Sequence, residues 1–187
     1  AQGDTDAALA ALSRAAASDR TSSEIRAEIA SLHLRQDSRD DAAKAAAEAL
    51  ALDDGNIEAH RVLGLVSAAN ADDATERRQG ERAMSLSREA VAHLERVADS
   101  PAADITLYYT MGRLYLRTSE GQKAVQAFSR VVAQNPSSIQ GRLSLAQAYG
   151  AADDLPAAIE SLQEIVEDEP RVAATLGQYQ EQAGRFQ

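Results

Sequence analysis

Residues 105–136 read ITLYYTMGRLYLRTSEGQKAVQAFSRVVAQNP. Apolar or small residues recur in this stretch at Tyr108, Met111, Gly112, Tyr115, Ala124, Phe128 and Val131, and Pro136 closes it. Thirty-four residues on, to within one position, the same slots hold Arg142, Leu145, Ala146, Tyr149, Ala158, Leu162, Val166 and Pro170. Two segments that match at a fixed offset without a gap are self-similar, and a period of this length is the mark of a repeat architecture rather than of a single globule. Within each segment the apolar positions follow a helical period, so each helix carries an apolar stripe that only a neighbour can bury.

This pattern resembles the tetratricopeptide repeat family, whose 34-residue helix–turn–helix unit carries an aromatic residue, Leu-Gly and Tyr on its first helix, then Ala, Phe and a closing Pro. Carried backwards, the register places Leu63-Gly64 and Ile29-Ala30 in the Leu-Gly slot of two earlier units. The expected units are 23–56, 57–104, 105–138 and 139–169, with 1–22 as the second helix of a truncated repeat and 170–187 as the first helix of another. The unit at 57–104 exceeds the repeat by 14 residues, around ANADDATERRQGERAMS. The resemblance covers essentially the whole chain. It implies a single all-α solenoid over 1–187, an α-α superhelix of about ten antiparallel helices.

Composition agrees. Of 187 residues 44% are hydrophobic but only 4% aromatic, and 40 are alanine, as expected where helices cross closely and a methyl group is all that fits. Enlarging such a residue overpacks the crossing. There is no cysteine, which excludes disulfides, thiolate metal sites and a cysteine nucleophile. A net charge of −10 repels phosphate backbones and argues against nucleic acid or an anionic membrane as partner. No apolar run approaches the roughly 20 residues that span a bilayer, so a soluble protein is expected, in the cytoplasm or periplasm of a bacterium. Seventeen arginines against two lysines, Lys44 and Lys123, fit a GC-rich bacterial source. Ser119 with Gln122 reads as a capping box, Asp154 before Leu155-Pro156 as a helix start, and Pro136 and Pro170 as stops.

Chemistry is sparse. His33, His60 and His93 stand at no metal-binding spacing, and packing is the expected role of each. Gly64, Gly112 and Gly177 fall in the Leu-Gly slot and read as close-packing positions; the pairs Asp40-Asp41, Asp53-Asp54, Asp72-Asp73 and Asp153-Asp154 fall at turns or helix starts, where acids suit the helix dipole. No catalytic residue, cofactor or metal site is expected.

The resemblance points instead to binding along a concave face lined by first helices. The wall positions it implies are Ala27, Ser31 and Leu34; Arg61, Leu65 and Ala68; Tyr109, Arg113 and Leu116; and Leu143, Gln147 and Gly150. Arg61, Tyr109, Arg113 and Gln147 would make a polar, weakly basic middle flanked by Leu65, Leu116 and Leu143, suited to a protein or peptide partner with a carboxylate held by arginine. The lysine and asparagine clamp of chaperone-tail binders has no counterpart here. In the insertion, Asp73 with Glu76 reads as a cap and Arg77, Arg78 and Arg82 as a basic cluster on the helix that follows, a candidate docking spur. Two further readings are open. The terminal helices, with Leu9, Leu12, Leu176, Tyr179 and Phe186, offer surfaces for self-association into a homo-oligomer; or the chain is a regulatory or substrate-presenting region of a larger enzyme.

Overall fold

The structure of the protein, a computed structural model, describes residues 2–167 and 169–185. Ten α-helices and no strand occur among the described residues, so the all-α expectation holds. They are α1 (Gln2–Ser18), α2 (Ser23–Arg35), α3 (Arg39–Leu52), α4 (Ile57–Glu76), α5 (Gly80–Val97), α6 (Ile105–Arg117), α7 (Gly121–Gln134), α8 (Ile139–Ala151), α9 (Leu155–Gln163) and α10 (Ala173–Arg185), with a 3₁₀ turn at Pro170–Val172. The chain forms two compact units, Ala1–Ala103 with α1–α5 and Asp104–Gln187 with α6–α10. Within each, helices adjacent in sequence pack against one another.

Side-chain caps start four of these helices in register. Ser22, Asn56, Asp104 and Ser138 each accept a hydrogen bond from the backbone N–H three residues on, at 3.2, 2.9, 2.8 and 3.0 Å. The helices so started, α2, α4, α6 and α8, are the first members of four pairs, and each ends in the same way. Asp37, Arg78, Ser119 and Asp153 adopt left-handed φ values of 56, 59, 63 and 60°. The amide of the next residue then donates to a carbonyl five residues back: Ser38 to His33, Gln79 to Ala74, Glu120 to Tyr115 and Asp154 to Tyr149, at 2.8–2.9 Å. This Schellman closure consumes the orphan carbonyls of the first helix and aims the chain into the second. It also corrects the reading of Ser119. That residue is the left-handed turn residue, Glu120 is the N-cap but its side chain does not cap the helix, and the expected capping box does not form. Asp154 does cap α9, accepting from the Ala157 N–H at 3.2 Å.

The insertion is absorbed by the helices. Left-handed residues 37 and 78, and again 78 and 119, are 41 apart, while 119 and 153 are 34 apart; 41 less 34 is seven residues on each side of the Arg78 turn. Seven residues make almost two helical turns, so the inward face of each helix is preserved. As a result α4 has 20 residues and α5 has 18, against 13 in α6 and 14 in α7. Asp73 therefore lies inside α4 rather than at a helix start, with its carboxylate 2.9 Å from the Arg39 guanidinium.

The core runs along the paired slots. Gly64 and Gly112 are buried and Ala30 and Ala146 are wholly so, facing second helices that carry Ala46, Leu94, Phe128 and Leu162, all at 0% exposure. A Cβ on Gly64 would lie 2.5 Å from Leu94 Cδ2, and one on Gly112 2.6 Å from the Phe128 ring, so the glycines are the shape complement of the large residues opposite. Past the end of α9 the slot read at Val166 belongs to Ile165, which is 2% exposed, while Val166 packs at its margin.

Asn56 joins two first helices. Its Oδ1 caps α4 and its Nδ2 donates to Ser23 Oγ at the start of α2, 3.1 Å away, in a site only 9% exposed. Asn56→Ala is expected to cost about 1–2 kcal/mol in urea denaturation, and Asn56→Ser to recover part of it through the cap.

Candidate functional site

In the first unit, α2 and α4 lie side by side. Of the wall positions there, Ala27 and Ala68 are core residues at 2% and 6% exposure; Ser31, Leu34, Arg61 and Leu65 are half-buried. The surroundings of Arg61 are acidic. Its Nη1 lies 3.6 Å from Glu58 Oε1, and Ser31 Oγ donates to the same carboxylate. Beside them opens a pocket of about 380 Å³ lined by Glu24, Ala27, Glu28, Asp53, Gly55, Asn56, Ile57 and Glu58. Two of the four carboxylates, Glu24 and Glu58, stand in the first turns of α2 and α4, where helix dipoles favour them. The weakly basic character expected of the wall is thus offset in this unit.

In the second unit, α6 carries Tyr109, Arg113 and Leu116, and α8 carries Leu143, Gln147 and Gly150. Arg113 and Gln147 are exposed, and Tyr109 and Leu116 half-buried. The Tyr109 ring stands edge-on to Phe128, with centroids 5.6 Å apart and planes at 73°, and its hydroxyl receives the Gln140 side-chain amide at 3.5 Å. A cross-helix bond therefore fixes one end of Tyr109 and the core the other. Leu143 leans on the cluster of Ala146, Leu162, Ile165 and Val172. Gly150 faces the Tyr179 ring, whose hydroxyl oxygen would sit 2.5 Å from an added Cβ, so this position is closed by α10.

Helix pairs of this form, repeated in register, match a family model described as tetratricopeptide repeat over residues 1–57 and 109–172. The chain belongs to the tetratricopeptide repeat family. Among solved structures it is similar to TTC0263, a thermophilic tetratricopeptide repeat protein of Thermus thermophilus (20% identity, 96% of this chain and 91% of that one, TM-score 0.56). It is also similar to MamA from Desulfovibrio magneticus RS-1, from residue 41 to the end (20% identity, 91% and 88%, TM-score 0.59). A third is YrrB, described as a tetratricopeptide repeat protein with an unusual peptide-binding site (16% identity, 86% and 75%, TM-score 0.62). At these identities the likeness is one of fold. A search of curated proteins returns no match. Tetratricopeptide repeat proteins typically mediate protein–protein interactions and are generally non-catalytic.

The three arginines of the insertion share one turn. Arg77 is the C-cap of α4, Arg78 is the left-handed turn residue and Arg82 lies in the first turn of α5, with Nη1 3.5 Å from Gln79 Oε1. All three are exposed. They cap the longest helix pair of this repeat protein and do not lie together on one helix, as the sequence suggested they would.

Sequence reading treated the histidines separately; the fold pairs two of them. His60 on α4 and His93 on α5 bring their Nδ1 atoms to 2.9 Å, with ring centroids 5.1 Å apart, and His60 Nε2 lies 2.9 Å from the Asp54 carbonyl oxygen. His60 is 9% exposed. Burial, and then the charge of His60, hold His93 below the ordinary histidine value, with Glu89 opposing. The repeat register carried the signal, since His60 occupies the slot that Tyr108 fills in a later unit. Among the described residues no group of three or more histidine, aspartate or glutamate side chains is placed to hold a metal ion.

Among the described residues no helix is long and apolar enough to cross a membrane.

Proposed function

We propose that this chain is a non-catalytic interaction module that holds a peptide or protein partner against the first helices of its repeats. The observation that carries this reading is the surface of α6 and α8. Arg113 and Gln147 are exposed beside half-buried Tyr109 and Leu116, on helices whose inner faces are already closed by the core. Packing does not dictate these side chains, so selection can shape them toward a ligand. In this reading Tyr109 and Leu116 cover apolar side chains of the partner, Leu143 supports them from below, Arg113 engages a carboxylate, and Gln147 engages backbone amides. Arg61 and Leu65 serve the first unit, and Arg77, Arg78 and Arg82 offer a secondary docking point. Affinity capture compares the wild type with Arg61→Glu plus Arg113→Glu. Loss of a charge-assisted contact is expected to lower partner recovery about tenfold or more; unchanged recovery removes the assignment of these two arginines.

A second reading, self-association through the terminal helices, draws on Gly177. A Cβ there would meet nothing within 4 Å, whereas Gly64 and Gly112 are covered by Leu94 and Phe128. Leu9, Leu12, Leu176 and Tyr179 are half-buried; Phe186 lies outside the described residues. Sedimentation over a range of concentrations tests this, and a strict monomer eliminates it.

A further inference from the structure

The His60–His93 pair lies outside the partner-binding surface, and its hydrogen bonds dictate where its protons sit. The Asp54 carbonyl can only accept, so His60 Nε2, 2.9 Å away, carries a proton. In a neutral imidazole the other nitrogen is then an acceptor, so His60 Nδ1 receives the N–H of His93 Nδ1 across 2.9 Å. The neutral pair thus has one arrangement, Nε2–H on His60 and Nδ1–H on His93. One further proton, on Nε2 of His93, leaves both bonds standing. The next, on Nδ1 of His60, sets two N–H donors and two positive charges against each other in a site that is 9% exposed at His60. That arrangement loses the bond between the helices and adds like-charge repulsion where water screens it poorly.

We propose that the His60–His93 pair is an acid-released latch between α4 and α5, the longest helix pair in the chain. The groups around it are few. On α5, Glu89 stands one turn before His93, and its carboxylate accepts from Ser67 Oγ of α4 at 2.9 Å. The α3–α4 turn brings the Asp54 carbonyl to His60, α2 meets the start of α4 through Ser23, Ser31 and the Glu58 carboxylate, and α3 meets its far end through Arg39 and Asp73. Of these only Glu89 favours a proton on His93, where burial and the charge of His60 outweigh it, and none relieves the donor–donor clash of the doubly protonated pair. With the folded pKa of His93 lowered, the unfolded chain binds that proton more readily. Its stabilisation is present above the ordinary value of 6.5 and is lost as pH falls through the folded value.

Thermal melts from pH 7.5 to 5.0 test the latch, with His93→Gln as comparison. A glutamine amide can still donate to His60 Nδ1 but does not titrate, and the remaining charge of the chain is common to both proteins. Wild type is expected to lose about 3 °C or more relative to His93→Gln over this range; parallel curves overturn the proposal. Ring nitrogen NMR of the wild type supplies an independent reading that does not need the variant to fold. Nε2–H at His60 with Nδ1–H at His93, and His93 titrating below the ordinary histidine range, is the expected result. The opposite tautomers, or ordinary titration of His93, overturns the latch.

Discussion

Phe128→Ala is expected to be among the most damaging single truncations in the chain, costing about 3–5 kcal/mol. Phe128 is at 0% exposure, its ring lies against Gly112, and Tyr109 stands edge-on to it. Gly112, directly opposite the ring, has no side chain to move in and fill the space, so most of the cavity persists. The contrast within the same repeat series is Ala46, which holds this slot in α3 opposite Ala30, both at 0% exposure: there two small residues close on each other. In a chain of this size the loss corresponds to roughly 6–20 °C in Tm. Calorimetry or urea denaturation measures it, and a loss below about 1 kcal/mol would show that the slot does not close as described. Because Tyr109 leans on Phe128, the variant should also weaken partner capture at temperatures where it remains folded. A variant that unfolds more easily yet binds normally would separate Tyr109 from the binding surface.

What was readable in the sequence follows from where packing forces a residue type. The slots at Gly112, Tyr115, Ala124 and Phe128 announce the repeat because a close crossing and its filler must alternate, and burial of all four agrees. The starts of the first helices carry a second signal that went unread, the caps Ser22, Asn56, Asp104 and Ser138, since a capping side chain is a local necessity. The turn inside the insertion was not legible. Asp73 and Glu76 satisfy a capping pattern as well as they satisfy a helix, and the real boundary is a left-handed arginine, Arg78, with no glycine to mark it. At Ser119 the same ambiguity arose, because serine suits a cap and tolerates a turn. The histidine pair was hidden for a different reason: His60 and His93 are brought together only by the packing of α4 on α5, which the insertion had made hard to align. On the proposed binding side, the resemblance implied Arg61 as a wall residue, but its acidic surroundings depend on the α3–α4 turn and on α2, which no single-helix reading brings together.

Two glycine-to-alanine changes are expected to move stability in opposite directions, against the ranking the sequence suggests. Gly177 sits in a recognised packing slot; Gly121 lies in no motif. Yet a Cβ on Gly121, the first residue of α7, would stand 2.4 Å from the Ala151 carbonyl oxygen, 2.6 Å from its carbon and 2.7 Å from the Ala152 nitrogen. Those are backbone atoms at the end of α8. They cannot rotate aside as the tip of a leucine can, so Gly121→Ala must push α7 and α8 apart at this contact, at an expected cost of about 1–3 kcal/mol or more. Around Gly177 there is nothing within 4 Å and the residue is exposed within α10. Alanine there removes backbone freedom from the unfolded chain at no steric cost and is expected to stabilise by roughly 0.5–1 kcal/mol. Paired urea titrations of the two variants give the sign directly. Equal effects would mean that the α7–α8 contact relaxes freely, while a loss at Gly177→Ala would mean that another surface already occupies that face of α10.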